Sequence, residues 1–186
     1  MGPANDEATF RPTVEFVRKN SVPLKLFRLF TTLLVALLSG LAFAHVLELP
    51  AKMQYDATLY ITLQKSLYVQ WGPPNIGGVL EPSAILATGL LAFFLRRSHR
   101  NLWLSLLALF ALLLAFPVVF FWLVAPANAG FLSAMLPGIP PDWTALRSNW
   151  ETGHAIRFAL QFAAVGLLVL SLALDAESSS SRNQDA

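Results

Sequence analysis

The sequence predicts an all-α fold, a polytopic membrane four-helix bundle with an additional amphipathic helix between helices one and two. Three observations predict it. Four long apolar segments recur along the 186 residues. Charged residues make up 13%, against about 25% in soluble domains, and the mean hydropathy is +0.57. The basic residues gather at the ends of the apolar segments instead of covering one soluble face. With a net charge of only +2, this excludes a nucleic-acid-binding surface. The absence of cysteine excludes disulfides, thiolate metal sites, iron–sulfur clusters and thiolate-linked haem.

Taken in order, residues 1–22 are polar and read as a flexible cytoplasmic tail, with a short helix around Val14–Lys19. The membrane domain covers residues 23–175. Pro23 opens the first apolar segment, and a span over about 29–48 matches the ~20 residues that cross a bilayer. Arg28 marks one end of it; His45, Glu48 and Pro50 mark the other. The connection that follows is too long for an ordinary loop. Within it, Asp56–Trp71 places Tyr60, Leu63, Leu67 and Trp71 at helical spacing, with Lys65 off that face, as in an amphipathic helix on the membrane surface. The second span, about 76–95, carries Glu81 followed at once by Pro82. Arg96, Arg97, His99 and Arg100 form a basic loop. The third span, about 101–125, is uncharged, with a kink expected at Pro117. A Gly/Pro-rich connection, Pro126–Pro141, leads to Asp142 as N-cap of the last helix, whose span is about 154–174. Residues 176–186, rich in serine, read as a disordered tail.

Arg11, Arg18, Lys19, Lys25, Arg28, Arg96, Arg97, Arg100 and Arg182 fall on one side of these spans. Lys52, Lys65, Arg147 and Arg157 fall on the other. The positive-inside rule then makes both termini cytoplasmic. The topology has a consequence for chemistry. His45 and Glu48, Glu81, Asn128, and the stripe Arg147, Glu151, His154 and Arg157 all fall in one layer at the outer side. Charges facing lipid are costly, so these groups are expected to face inward and meet. One reading is a structural cluster in which Glu81 pairs with Arg157 and Arg147 with Glu151. The other is a pocket, in which Glu151 and His154 are ligands or acid–base groups, Arg147 and Arg157 hold an oxyanion, and Asn128 and Trp150 contact substrate. Trp71, Trp122, Trp143 and Trp150 also suit an aromatic belt.

Three occupants of such a pocket fit the residue types. His45-x-x-Glu48 and Glu151-x-x-His154 have the i,i+3 spacing of carboxylate-bridged metal sites. With Glu81 they form a candidate ligand set, His45, Glu48, Glu81, Glu151 and His154, for iron or copper, although helix three adds no carboxylate. Bis-histidine haem through His45 and His154 is a weaker fit. A metal-free pocket, with a histidine or glutamate as base, is the third. The partners implied are membrane lipid and a lipophilic small molecule.

On these residues the chain resembles the anthrone oxygenase-like family of small bacterial and fungal membrane proteins. The resemblance runs from about Phe30 to Leu174. It is carried by HVLELP at His45–Pro50, GGVLEP ending at Glu81 and Pro82, APAN ending at Asn128, and RSNWETGHAIR at Arg147–Arg157. It implies a four-helix membrane fold. By analogy with fungal members, it also implies oxidation of a lipophilic aromatic or quinone-like molecule with molecular oxygen and without an organic cofactor. The competing expectation is a non-enzymatic membrane module that binds a lipid, a metal or a protein partner.

Overall fold

A computed structural model describes residues 21–73, 75–133 and 138–184, with side chains described up to residue 176. The expected N-terminal tail and its short helix lie outside the described residues. The described chain is helical, without strands. Four of its helices are long and apolar enough to cross a membrane, which is compatible with an integral membrane protein.

Helix α1 spans Val22–Lys52, with Pro23 in its first turn, where a missing N–H costs nothing. It does not stop near Pro50 as the sequence suggests. Proline lacks one hydrogen bond, but here it sits in the last turn, and the helix runs on to bury Lys52. Helix α2, Ala57–Ser66, is capped by Asp56, whose carboxylate accepts from the Leu59 N–H at 2.8 Å. A 3₁₀ turn, Tyr68–Gln70, completes the segment. The inward face of this segment keeps Tyr60 as expected, with Leu63 and Trp71 partly buried beside it. Tyr60, Ile61, Gln64 and Tyr68 are buried, whereas Leu67 is exposed. Helix α3 spans Ile76–Phe94, close to expectation.

Helix α4 spans His99–Ser133, and its middle, Leu114–Val124, is a π-helical segment around Pro117. Pro117 cannot donate to the ladder, and the wide turns are the local answer; the Ala125 N–H reaches back to the Phe120 carbonyl, five residues earlier. The expected loop beginning at Pro126 is therefore helical for nine residues, Ala125–Ser133. Helix α5 starts at Trp143, where the Asp142 carbonyl accepts from the Ala145 and Leu146 N–H groups, and continues to Gln184. The tail expected from residue 176 is helical over most of its length.

The helices pack in a square, α1 beside α3 and α5, and α4 beside α3 and α5. Val35, Leu38, Ala84, Leu91, Ala108, Leu112, Ala164 and Leu168 fill the centre. Small alanines let the backbones approach, as membrane packing requires. Large apolar side chains such as Leu33, Leu37, Leu86, Phe110 and Phe121 point outward. That arrangement suits lipid as solvent.

At the end of the bundle nearest Val22, Arg28 is 4% exposed and ion-paired with Asp175. It also donates to the Ser171 carbonyl at 2.7 Å and the Ser171 hydroxyl at 2.9 Å. Asn101 donates to Asp175 at 2.7 Å. Arg28 is thus a polar clasp joining α1, α4 and α5 as well as a boundary marker.

Two outcomes test this fold. Because the chain has no cysteine, Gln54→Cys and Arg97→Cys variants should label with an impermeant maleimide from opposite sides of the membrane; labelling from one side would refute the topology. Gly153 of α5 lies against the π segment, where an added Cβ would meet Val124 Cγ2 at 2.6 Å and Leu123 Cβ at 3.2 Å. Gly153→Val should lower stability by about 2 kcal/mol through overpacking, read by chemical denaturation in detergent.

Candidate functional site

Three elements bring the polar residues at the end of the bundle opposite Arg28 together. The last two turns of α1 carry His45, Glu48 and Lys52. The second turn of α3 carries Glu81. The early turns of α5 carry Trp150, Glu151, His154 and Arg157 at helical spacing. The loop Trp71–Pro73 covers them, and Gly77 is what lets it do so. Its N–H donates to the Trp71 carbonyl at 2.8 Å, and a Cβ at Gly77 would lie 2.6 Å from that oxygen.

The residues divide into two groups. The first lines a cavity of about 60 Å³ bounded by His45, Tyr68, Trp71, Glu81, Phe116, Phe120, Asn128, Trp150, His154 and Arg157, among others. Its polar centre is an ion pair between Arg157 and Glu81, which are 7% and 3% exposed. Helices α3 and α5 are diagonal partners in the bundle, so this pair reaches across its middle. Gln161 donates to the same carboxylate at 3.5 Å. The imidazoles of His45 and His154 lie against each other, ring centroids 4.2 Å apart, and Trp150 packs on both at 4.8 and 4.2 Å. Trp150 is 2% exposed and donates to the Asn128 side-chain oxygen at 2.8 Å. It belongs to the core of the site rather than to a belt, whereas Trp122 is 76% exposed. An Arg157 nitrogen lies 3.4 Å from His154 Nδ1. Guanidinium can only donate, so this contact makes Nδ1 the acceptor and leaves the proton of a neutral His154 on Nε2. His45 Nδ1 faces Glu48, 3.7 Å from its Oε2; like Arg157 Nε, Lys52 Nζ and Gln161 Oε1, it makes no hydrogen bond within the protein.

The second group stands behind the cavity. Lys52, 1% exposed, lies 3.1 Å from Glu151 and 3.6 Å from Glu48, with its ammonium 4.6 Å from the Trp150 ring. Tyr60 donates to Glu151 at 2.8 Å, and Tyr68 to Glu48 at 2.7 Å. Burial, then the charge of Glu151, pushes the Tyr60 phenol far above its ordinary value. Burial, then the hydrogen bond to Glu48, does the same to Tyr68. Both therefore stay protonated and keep donating.

Several expected roles change. Glu151 is held by Lys52 and Tyr60, not by Arg147, and lies outside the cavity. Arg147 turns away from it, donating to the Tyr55 and Met53 carbonyls at 3.4 and 3.5 Å and stacking over Trp143 at 4.6 Å. The five candidate metal ligands, His45, Glu48, Glu81, Glu151 and His154, do not converge. Each carboxylate already has its own cation or phenol, and no three His, Asp or Glu side chains among the described residues form a group able to hold an ion. His45 and His154 touch, which leaves no room between them for a haem macrocycle. Lys52, Tyr60 and Tyr68 were missed. Lys52 lies seven residues beyond His45 and four beyond Glu48, a helical stripe that is visible once the helix is carried through Pro50.

Comparison of the chain with protein-family models, with curated proteins and with solved structures finds no match.

The strut behind the cavity yields a direct test. Lys52→Met should cost about 3–5 kcal/mol, because it leaves the Glu151 carboxylate buried without its cation. Adding Glu151→Leu should restore more than half of that loss. Equal stability of the single and double variants in a denaturation series would show that the pair does not hold α1 to α5.

Proposed function

We propose that the chain is a multi-pass membrane oxidoreductase of the oxygenase type, resembling anthrone oxygenases, with its termini cytoplasmic and its pocket near the outer surface. One observation carries this reading: two buried imidazoles in contact, beside an arginine with an unpartnered N–H and within aromatic walls. Those groups suit a reaction that makes a carbanion. His45 is the base, because Arg157 already occupies Nδ1 of His154, and the Nδ1 of His45 faces the Glu48 carboxylate at 3.7 Å. Arg157 holds the enolate oxygen as charge develops on it.

The chemistry balances with molecular oxygen as the only co-reactant. A methylene activated by a neighbouring carbonyl gives one proton to His45. The carbanion adds O₂, the peroxide oxygen takes up the proton, and loss of water leaves a new carbonyl. One O₂ is consumed and one water released per methylene. No step calls for the metal set that the geometry fails to assemble.

A second reading, a non-enzymatic module holding a lipid or other ligand, is favoured by the cavity's size. About 60 Å³ is small beside the ~300 Å³ at which drug-sized pockets begin. Oxygen uptake by the purified protein in nanodiscs, with anthrone as probe, separates the two. Turnover with one O₂ per quinone, reduced about 100-fold or more in His45→Gln at unchanged melting temperature, is the expected result. Absence of turnover with lipid retained through purification would favour the module. Stoichiometric iron or copper, lost in His154→Ala, would overturn the metal-free step.

A further inference from the structure

We infer that the pocket is reached sideways from the bilayer, through a cleft between α3 and the π segment of α4, by a lipophilic weak acid that inserts only its polar head. This rests on the reading of the pocket as a ligand site and adds the route and the shape of what enters.

The cleft follows from the packing. Helix α3 lies against the inner half of α4, His99–Leu113, and parts from it over the wide turns of Leu114–Val124. The facing walls, Gly77 and Glu81 on one side and Phe116 and Phe120 on the other, all line the cavity. Phe116 stands at most about 25 Å along α4 from His99, within a hydrocarbon layer of ~30 Å. The outward residues on these two segments, Val79, Val118 and Phe121, are exposed and apolar. The cleft therefore opens toward acyl chains.

Three other approaches are covered. The loop Trp71–Pro73 is pinned over the outer end by Gly77, and Lys52, Glu151 and Tyr60 close the back. Toward the inner side the apolar packing of Leu38, Leu91, Leu112 and Leu168 separates the pocket from the Arg28 clasp.

Size and chemistry choose the occupant. The cavity's 60 Å³ is less than half of the ~150 Å³ of an apolar cavity that takes up benzene. A hydroxyl or carbonyl with its nearest atoms fits; the rest of the ligand must lie outside. Inside, the unpartnered Arg157 Nε is a donor on a side chain 7% exposed, and His45, whose Nδ1 faces Glu48 at 3.7 Å, supplies an imidazole to the same cavity. Together they suit an ionisable hydroxyl, whose proton goes to one and whose oxygen goes to the other. A lipophilic weak acid satisfies all three conditions: it partitions into the membrane, presents a small acidic head and leaves its apolar body between α3 and α4.

Photolabelling in nanodiscs tests this. One probe is a phenol bearing a diazirine and a dodecyl chain; the other is the same phenol-diazirine bearing a sulfonate instead of the chain. Labels are read by mass spectrometry on the buried residues Trp150 and His154, which acyl chains do not otherwise reach. The dodecyl probe should label them at least about tenfold more than the sulfonate. Phe116→Trp should reduce that labelling about tenfold, and Phe116→Ala should raise it. Labelling of Trp150 and His154 by the sulfonate at an equal or higher level, unaffected by either variant, would keep the ligand site and overturn the lateral route. No labelling by either probe would overturn both the route and the site.

Discussion

Everything at the end of this bundle opposite Arg28 depends on the Arg157–Glu81 pair. Two charges deep among apolar helices are tolerable only together: each alone would carry a desolvation cost of several kcal/mol. Because α3 and α5 are diagonal, the pair can form only if the square stays slightly open at this level. Closing the square would bury the charges against leucine; opening it further would let lipid in. The same separation that accommodates the pair therefore creates the cavity beside it. Site and fold follow from one constraint.

The polar residues elsewhere show what a purely structural solution looks like in this chain. The inner clasp uses Arg28, Asp175, Asn101 and Ser171, and the two guanidinium ends of Arg28 find partners on α5. The strut of Lys52, Glu151, Glu48, Tyr60 and Tyr68 likewise gives each carboxylate a donor, and it ties α1 to α5 and to the covering segment. These clusters match charge with charge and donor with acceptor. The cavity group is different. Arg157 Nε is buried without a partner beside the cavity, and His45 Nδ1 has only the Glu48 carboxylate, 3.7 Å away.

Much of this was legible in the sequence, for physical reasons that also explain what was not. Span positions follow from hydrophobic length alone, and α3 and the start of α5 match closely. Glu81 facing inward follows from the cost of a carboxylate in lipid, and its pairing with Arg157 was one of the two expected arrangements. Proline misled the reading at Pro50 and Pro126. It removes one hydrogen bond but does not end a helix held by packing, as the buried Lys52 and the π register show. Ending α1 early hid Lys52, and without Lys52 the partner for Glu151 had to be taken from its own helix, as Arg147. On the covering segment Tyr68 is buried where Leu67 was expected, because the Tyr68 hydroxyl has the Glu48 carboxylate to reach. Hydrophobicity counts cannot see that pull.

The π segment links the remaining observations. An α-helical ladder through Leu114–Val124 would need an N–H that Pro117 does not have. The wider turns displace the outer half of α4 relative to α3, and they bring Val124 so close to α5 that only glycine fits at position 153. One helix is thus drawn toward α5 and away from α3 by the same local change. Phe116 and Phe120 move to the cavity wall, and Phe120 takes up the Arg157 guanidinium at 5.3 Å from its ring centroid. The proline that the sequence marks as a kink therefore sets the width of the gap that the Arg157–Glu81 pair spans. It also fixes which aromatic faces a bound molecule meets.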